Sequence, residues 1–198
     1  MDFIDPHDIY DKVIVIDAGH GSRMSGATKN GIQEKDINLD IVLQLKALFD
    51  AYDGNIGVYY TRTDDSNPTL QQRAELANKA GADLFISVHN NSSGTGNFTS
   101  VNGTQVLYSE SDDRELGSKK LAQICLDNVT AATGSNDFGL LKADDIYIVR
   151  SSEAPVALIE VGFMTNRDEL AKLADPEYQK TAAQGIFNAV LEAVKEGY

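Results

Sequence analysis

Residues 12–21 read KVIVIDAGHG, a β-branched apolar run that stops at a histidine between two glycines. Such a run reads as a buried strand, and the Gly-rich stretch AGHGSRMSGATKNG that continues from it reads as a loop. Two further stretches have the same character. Residues 82–89 (ADLFISVH) form an apolar strand ending at His89, and residues 155–163 (PVALIEVGF) form another with Glu160 inside it. Shorter strands are expected at residues 58–61, 104–109 and 146–149 (IYIV), the last two separated by a helix and a loop at residues 134–145.

Helices alternate with these strands. Ile37, Ile41, Val42, Leu45, Leu48, Phe49 and Tyr52 recur at helical spacing, so residues 34–52 contain a helix packed by one face, ended by Asp53-Gly54-Asn55. Asn67-Pro68 offers an N-cap with proline in the first helical position, opening a helix that runs through Lys79 and is closed by Gly81. A helix is expected from about residue 113 to 133, a short one begins at Asn166 with Glu169 as a capping-box partner, and Asp175-Pro176 opens the last, ending near residue 195. The alternation predicts an α/β fold with helices on both faces of one sheet, mixed in strand direction because the two late strands are so closely linked. The reading is one domain, residues 12–198, preceded by a tail or linker at residues 1–11.

Composition narrows the function. The 198 residues are 42% hydrophobic, enough for one core. Seventeen basic against thirty acidic side chains leave a net charge of -13, which repels phosphate backbones and argues against nucleic acid as a partner. No run approaches the roughly 18 apolar residues of a membrane span, so no membrane insertion is expected. MDFIDPHDIYDK lacks the basic and apolar regions of a secretory signal. Cys125 stands alone among apolar neighbours at helical spacing and reads as core.

Ligands of open α/β sheets gather at the carboxyl ends of strands. His20 and His89 stand at two such ends, Glu160 in the last strand, and Glu34 opens the helix after the first loop. Two histidines and a glutamate make a zinc set suited to hydrolysis, leaving Glu160 as a spare carboxylate. Each residue alone has a plainer reading. His20 can be a loop histidine bonded to backbone, Glu34 a favourable partner of its helix dipole, and Glu160 the partner of a buried Arg62 or Arg73. His7, the third histidine, lies in the tail and is expected to be solvated.

Taken together, these residues resemble the catalytic domain of the zinc-dependent N-acetylmuramoyl-L-alanine amidases, the amidase-3 family, from about residue 12 to the C-terminus. The likeness rests on VIVIDAGHG, Gly26-Ala27 with Glu34, YYTR with Arg62, LQQRAELAN with Arg73, Ala77 and Asn78, ADLFISVHNN, and PVALIEVGFMTN with Glu160, Gly162, Phe163 and Asn166. The resemblance implies one Zn2+ per chain held by His20, Glu34 and His89, with Glu160 as the catalytic acid/base and Asn91 and Arg62 in supporting roles. It implies a twisted, roughly six-stranded mixed sheet, and hydrolysis of the amide between the lactyl group of N-acetylmuramic acid and the L-alanine of the stem peptide. The expected partner is peptidoglycan, the expected state a monomer, and the expected place the cell envelope or extracellular space. A chain without a secretory signal then reads as a piece of a longer exported protein or as a phage-type lysin.

Ser22, Met24 and Ser25 depart from the family's usual first loop, which often reads Gly-His-Gly-Gly with Asp-Pro before Gly-Ala, and Asn90 stands where a small residue is common. Residues 90–103 are too short and Gly/Ser-rich for the helical insertion that blocks the site in some members, so an open site is expected. Two other readings compete: a zinc peptidase or deacylase acting on another amide, and a non-catalytic wall-binding module.

Overall fold

The computed structural model describes residues 5–94 and 96–198. β1 (Lys12–Ala18) lies inside the sheet, which is why its sequence is unbroken by exposed polar groups: everything from Val13 to Ala18 is enclosed. Alternate side chains serve opposite faces, as a pleated strand requires. Ile14 and Ile16 enter one core cluster, Val13 and Val15 the other.

Five more strands complete the sheet: β4 (Ile56–Tyr60), β5 (Leu84–Asn91), β6 (Thr104–Tyr108), β7 (Asp137–Lys142) and β8 (Val156–Phe163). Their order is β4-β1-β5-β8-β6-β7. β4, β1, β5 and β8 are parallel, whereas β6 runs antiparallel to β8 and carries β7 parallel to itself. The sheet is therefore mixed and six-stranded, as expected, and the carboxyl ends of its four parallel strands meet at one pole.

Two layers cover it. α1 (Glu34–Asp50), α3 (Ser118–Thr133) and α6 (Pro176–Glu196) bury their apolar stripes on one face, together with α5 (Arg167–Leu173). α2 (Leu70–Lys79) and α4 (Tyr147–Arg150) cover the other with Ala77, Ile148 and Val149. Cys125 is fully buried in α3, as its neighbours implied. No helix of the described residues is long and apolar enough to cross a membrane.

Residues 146–149 correct the sequence reading. IYIV is not a strand; residues 147–150 form α4, with the consecutive residues Ile148 and Val149 both buried. A short apolar run does not reveal its own period. The sixth strand is instead β7, inside the expected loop, an edge strand whose Phe138 and Leu141 stay exposed. The cap of α2 is Thr69 rather than Asn67, with a complete capping box to Gln72. α3 starts at Ser118, later than expected, where Asp112 accepts hydrogen bonds from the Ser118 N–H and hydroxyl. At α5 the Asn166 side chain caps alone. Glu169 turns away to accept from the N–H groups of Phe163 and Gly103.

Before β1, Pro6–Asp8 form one 3-10 turn. His7 is exposed, with its Nε2 3.0 Å from Asp83, while Pro6 is buried and Tyr10 packs on the second core cluster.

Candidate metal and catalytic site

Gly19 leads out of β1 into a crowded corner. A Cβ at this position would lie 2.2 Å from Cε1 of His89, so only glycine lets the two chain segments approach. His20 then adopts φ 61° and Ser22 φ 47°, the left-handed region that non-glycine residues enter at a cost. Ser22 is one of the loop positions where the family often has glycine.

Two buried guanidinium groups hold this corner in place. Arg62 donates to the carbonyls of Ala18 (2.8 Å) and Gly19 (2.9 Å), and also to those of Asp64 and Lys35. Arg73, from α2, donates to the carbonyls of Ala18 (2.7 Å), His20 (2.7 Å) and Pro68 (2.9 Å), to Asn67 Oδ1 (3.2 Å), and to Asp17 Oδ1 (2.6 Å). The carbonyls of residues 18, 19 and 20 are thus all tethered. Burial alone would raise the Asp17 carboxyl. Arg73 and the hydroxyls of Ser87 and Thr61, each 2.6 Å away, together outweigh it, and the group sits below the usual carboxylate range.

Glu34 opens α1 with its side chain turned inward. Its Oε1 lies 3.1 Å from His20 Nε2 and 3.0 Å from His89 Nδ1. Its Oε2 accepts from the Ala27 N–H at 2.8 Å, and the Asn90 N–H reaches Oε1 at 3.2 Å. Burial opposes its charge, but the two imidazoles outweigh that cost and hold the carboxyl well below its ordinary range. Gly26 belongs to the same packing, since a Cβ there would sit 2.3 Å from Glu34 Oε2.

The three groups expected to bind metal are therefore brought together. One ligand atom from each of His20, Glu34 and His89 lies within 4.8 Å of the others, and this set can hold a metal ion. Donors about 2.1 Å from a tetrahedral zinc stand about 3.4 Å apart, close to the separations across Glu34. Part of both imidazoles stays accessible, with side-chain exposure of 29% for His20 and 17% for His89.

Glu160 pairs in register with His89 on the neighbouring strand. Its Oε2 is enclosed and, among the described residues, has no hydrogen-bond partner. Burial pushes this carboxyl up to about 7; His89 opposes the shift and Glu34 adds to it. Neither arginine neutralises Glu160: Arg73 is committed to Asp17, and Arg62 to backbone carbonyls. Asn91 donates from Nδ2 to Gln105 Oε1 at 3.1 Å, and Gln105 is in register with Glu160.

Asn38 is a site residue that the sequence reading missed. One turn after Glu34 and fully buried, it donates to the Gly19 carbonyl at 3.1 Å and accepts from Asn90 Nδ2 at 2.8 Å. Asn90, larger than usual for its position, thereby joins β5 to α1 behind the ligand set. A polar residue on the apolar face of α1 was the available signal. A roomier hollow than the one beside His20, about 590 Å3, lies at the other pole beside the start of α3. Its lining contains none of these groups.

Residues 14–192 match the family model described as N-acetylmuramoyl-L-alanine amidase. YqiI of Bacillus subtilis (strain 168) is 36% identical over 179 residues, 90% of this chain and 83% of that protein. The N-acetylmuramoyl-L-alanine amidase LytC of the same organism is 34% identical over 180 residues, 91% of this chain but 35% of LytC, so the chain spans about a third of that relative. The solved catalytic domain of CwlV, an N-acetylmuramoyl-L-alanine amidase from Bacillus (Paenibacillus) polymyxa var. colistinus, is similar with a TM-score of 0.84 at 34% identity, covering 93% of this chain and 98% of that one. A family match across nearly the whole domain, on the same sheet, means that the chain belongs to the N-acetylmuramoyl-L-alanine amidase family and is an enzyme of that class.

Proposed function

We propose that residues 12–198 are a zinc-dependent catalytic domain that cleaves the amide between the lactyl group of N-acetylmuramic acid and the L-alanine of the peptidoglycan stem peptide. His20, Glu34 and His89 hold one zinc ion, and Glu160 is the catalytic acid/base. The observation that carries this reading is the pairing of a convergent His-Glu-His donor set with an adjacent carboxylate whose enclosed Oε2 has no hydrogen-bond partner among the described residues. When bound, zinc supplies Lewis acidity at the scissile carbonyl and lowers the pKa of water toward about 7.

The protein's own groups do the rest. Glu160 takes a proton from the attacking water as its oxygen bonds to the acyl carbon. The C–N bond then breaks, and Glu160 returns that proton to the departing amine, leaving a lactyl carboxylate and a free L-alanyl amino terminus. A carboxyl near 7 suits both transfers, since neither protonation state is far from reach at neutral pH. Asn90 and Ala27 orient Glu34 through their backbone N–H groups, as partners of metal-ligating carboxylates commonly do. Among the described residues of the loop after β5 no helix lies over the site, which suits action without an activator. A peptidoglycan substrate puts the working chain in the cell envelope or outside the cell.

Digestion of purified peptidoglycan with and without a chelator, followed by mass spectrometry, tests this. Stem peptides with free L-alanine amino termini are expected, lost on chelation and restored by zinc. Release that ignores the chelator, or wall left intact by the zinc-loaded protein, would overturn the proposal.

A further inference from the structure

Beside His20 and His89 a cleft of about 310 Å3 opens over the α2 side of the site. Its walls include Met24 from the first loop, Pro68, Leu70 at the start of α2 and Ile148 of α4. Met24 is 58% and Leu70 55% exposed, among the few large apolar side chains that the described residues leave in solvent. Single exposed apolar groups need no explanation. Two that line one concavity at the proposed catalytic centre match the apolar walls of a ligand pocket.

The sheet order says which part of a substrate this cleft meets. β5 lies between β1 and β8, so His20, His89 and Glu160 follow one another across the site. Glu160 must reach the departing amine, which puts the amine end of the scissile bond on the β8 side and the acyl end on the β1 side. Most of the cleft's lining comes from the β1 side, from Asp17, Gly19, the loop beyond and the opening of α2, with His89 and Ile148 at its other edge, and Glu160 is not in its walls.

Charge points the same way. The one cation in the lining is Arg73, which is buried and already committed to Asp17 and three carbonyls. Away from the His20 and His89 edge that borders the proposed metal site, no cationic side chain of the lining is free to answer the carboxylates of a stem peptide, whereas an uncharged, partly apolar group is well matched.

Resting on the function proposed above, we infer that this cleft is the acyl-side subsite, taking the lactyl methyl and the apolar face of the N-acetylated amino sugar, with Met24 and Leu70 as specificity-determining residues. Its volume, at the low end for small-molecule pockets, suits about one sugar unit rather than a length of strand.

The two cleavage products test this separately, as inhibitors of the zinc-loaded enzyme acting on a soluble muramoyl peptide. In Met24→Ser, Leu70→Ser and the double variant, inhibition by N-acetylmuramic acid is expected to weaken roughly tenfold, the scale on which apolar pocket contacts discriminate. KM rises with it, while inhibition by the free stem peptide and zinc affinity hold. Both side chains are exposed, so folding is not at stake. Unchanged inhibition by both products, or weakening for the stem peptide instead, would overturn the inference and leave the amidase reading intact. A wild-type protein that releases no L-alanyl peptide from wall would remove both.

Discussion

Arg73→Met is the substitution that most directly tests how the corner around His20 is held. It removes the countercharge of a fully buried carboxylate, Asp17, and leaves the carbonyls of His20 and Pro68 without the donors described above. Breaking a buried ion pair by deleting one partner costs about 3–5 kcal/mol. Against a typical domain stability of about 5–15 kcal/mol, the variant folds but with little to spare. Arg73→Lys is the informative control. Its ammonium offers three donors where the guanidinium makes five bonds, so charge is kept and about two hydrogen bonds are lost, at about 0.5–1.5 kcal/mol each, a smaller cost than the full deletion.

The assay is urea denaturation of chelator-treated protein at pH 7, followed by zinc titration against a competing chelator. Release of the His20 carbonyl frees a ligand held at positive φ, so zinc affinity is expected to fall about 10–100-fold in both variants. The pH dependence carries a sign. Asp17 is held below its unfolded pKa of about 4, so its contribution is present above that pH and lost as pH falls through the folded value. Without Arg73 the buried Asp17 carboxyl titrates higher than in wild type, so the stability gap between wild type and Arg73→Met narrows as pH falls from that higher value to the lowered wild-type one. A gap under about 1 kcal/mol with normal zinc affinity would refute the reasoning, because the cost of burying the guanidinium would then cancel what its bonds contribute.

Glu160→Gln is expected to bind zinc normally and lose turnover; near-normal rates would remove Glu160 from the acid/base role. The same variant should stabilise the chelator-treated protein at pH 8 by about 2–3 kcal/mol and leave it unchanged near pH 4, because a carboxyl raised to about 7 destabilises the fold only above its unfolded pKa. Equal melting of the two proteins across that range would show that Glu160 ionises freely. Thr69→Ala removes the hydroxyl half of the α2 capping box at the edge of the cleft, leaving the residue 69 N–H to donate to Gln72, and should cost about 1 kcal/mol, a drop of roughly 2–4 °C in Tm. No change in calorimetry would mean that another group takes over the cap.

His20, Glu34 and His89 were legible in the sequence because they sit at or near element ends, where a strand run stops or a helix starts, and such ends are visible without knowing the fold; Glu160 stood out instead as an acid inside an apolar strand. The elements that failed had no such marks. IYIV has too few residues to display a period, and β7 reads as a loop because an edge strand with solvent on one side tolerates Asp137, Gly139 and Lys142. The small hairpin of β2 (Thr28–Lys29) and β3 (Ile32–Gln33) was signalled by Asn30-Gly31, both at positive φ, but its two-residue strands carry no pattern of their own.

The harder question was posed by two acids in apolar strands. Asp17 and Glu160 look alike in sequence, each a carboxylate among β-branched neighbours, and each asks for a partner. The sheet separates them. Asp17 has Thr61 beside it from the end of β4, Ser87 in register on β5 and Arg73 above from α2, so its charge is neutralised and it becomes a pillar of the His20 corner. Glu160 sits on β8 against His89, with Gln105 in register on its other side, and no arginine reaches it. Which acid is neutralised follows from strand order, a property of four distant segments at once, and the one left without a countercharge among the described residues is the one proposed to move a proton.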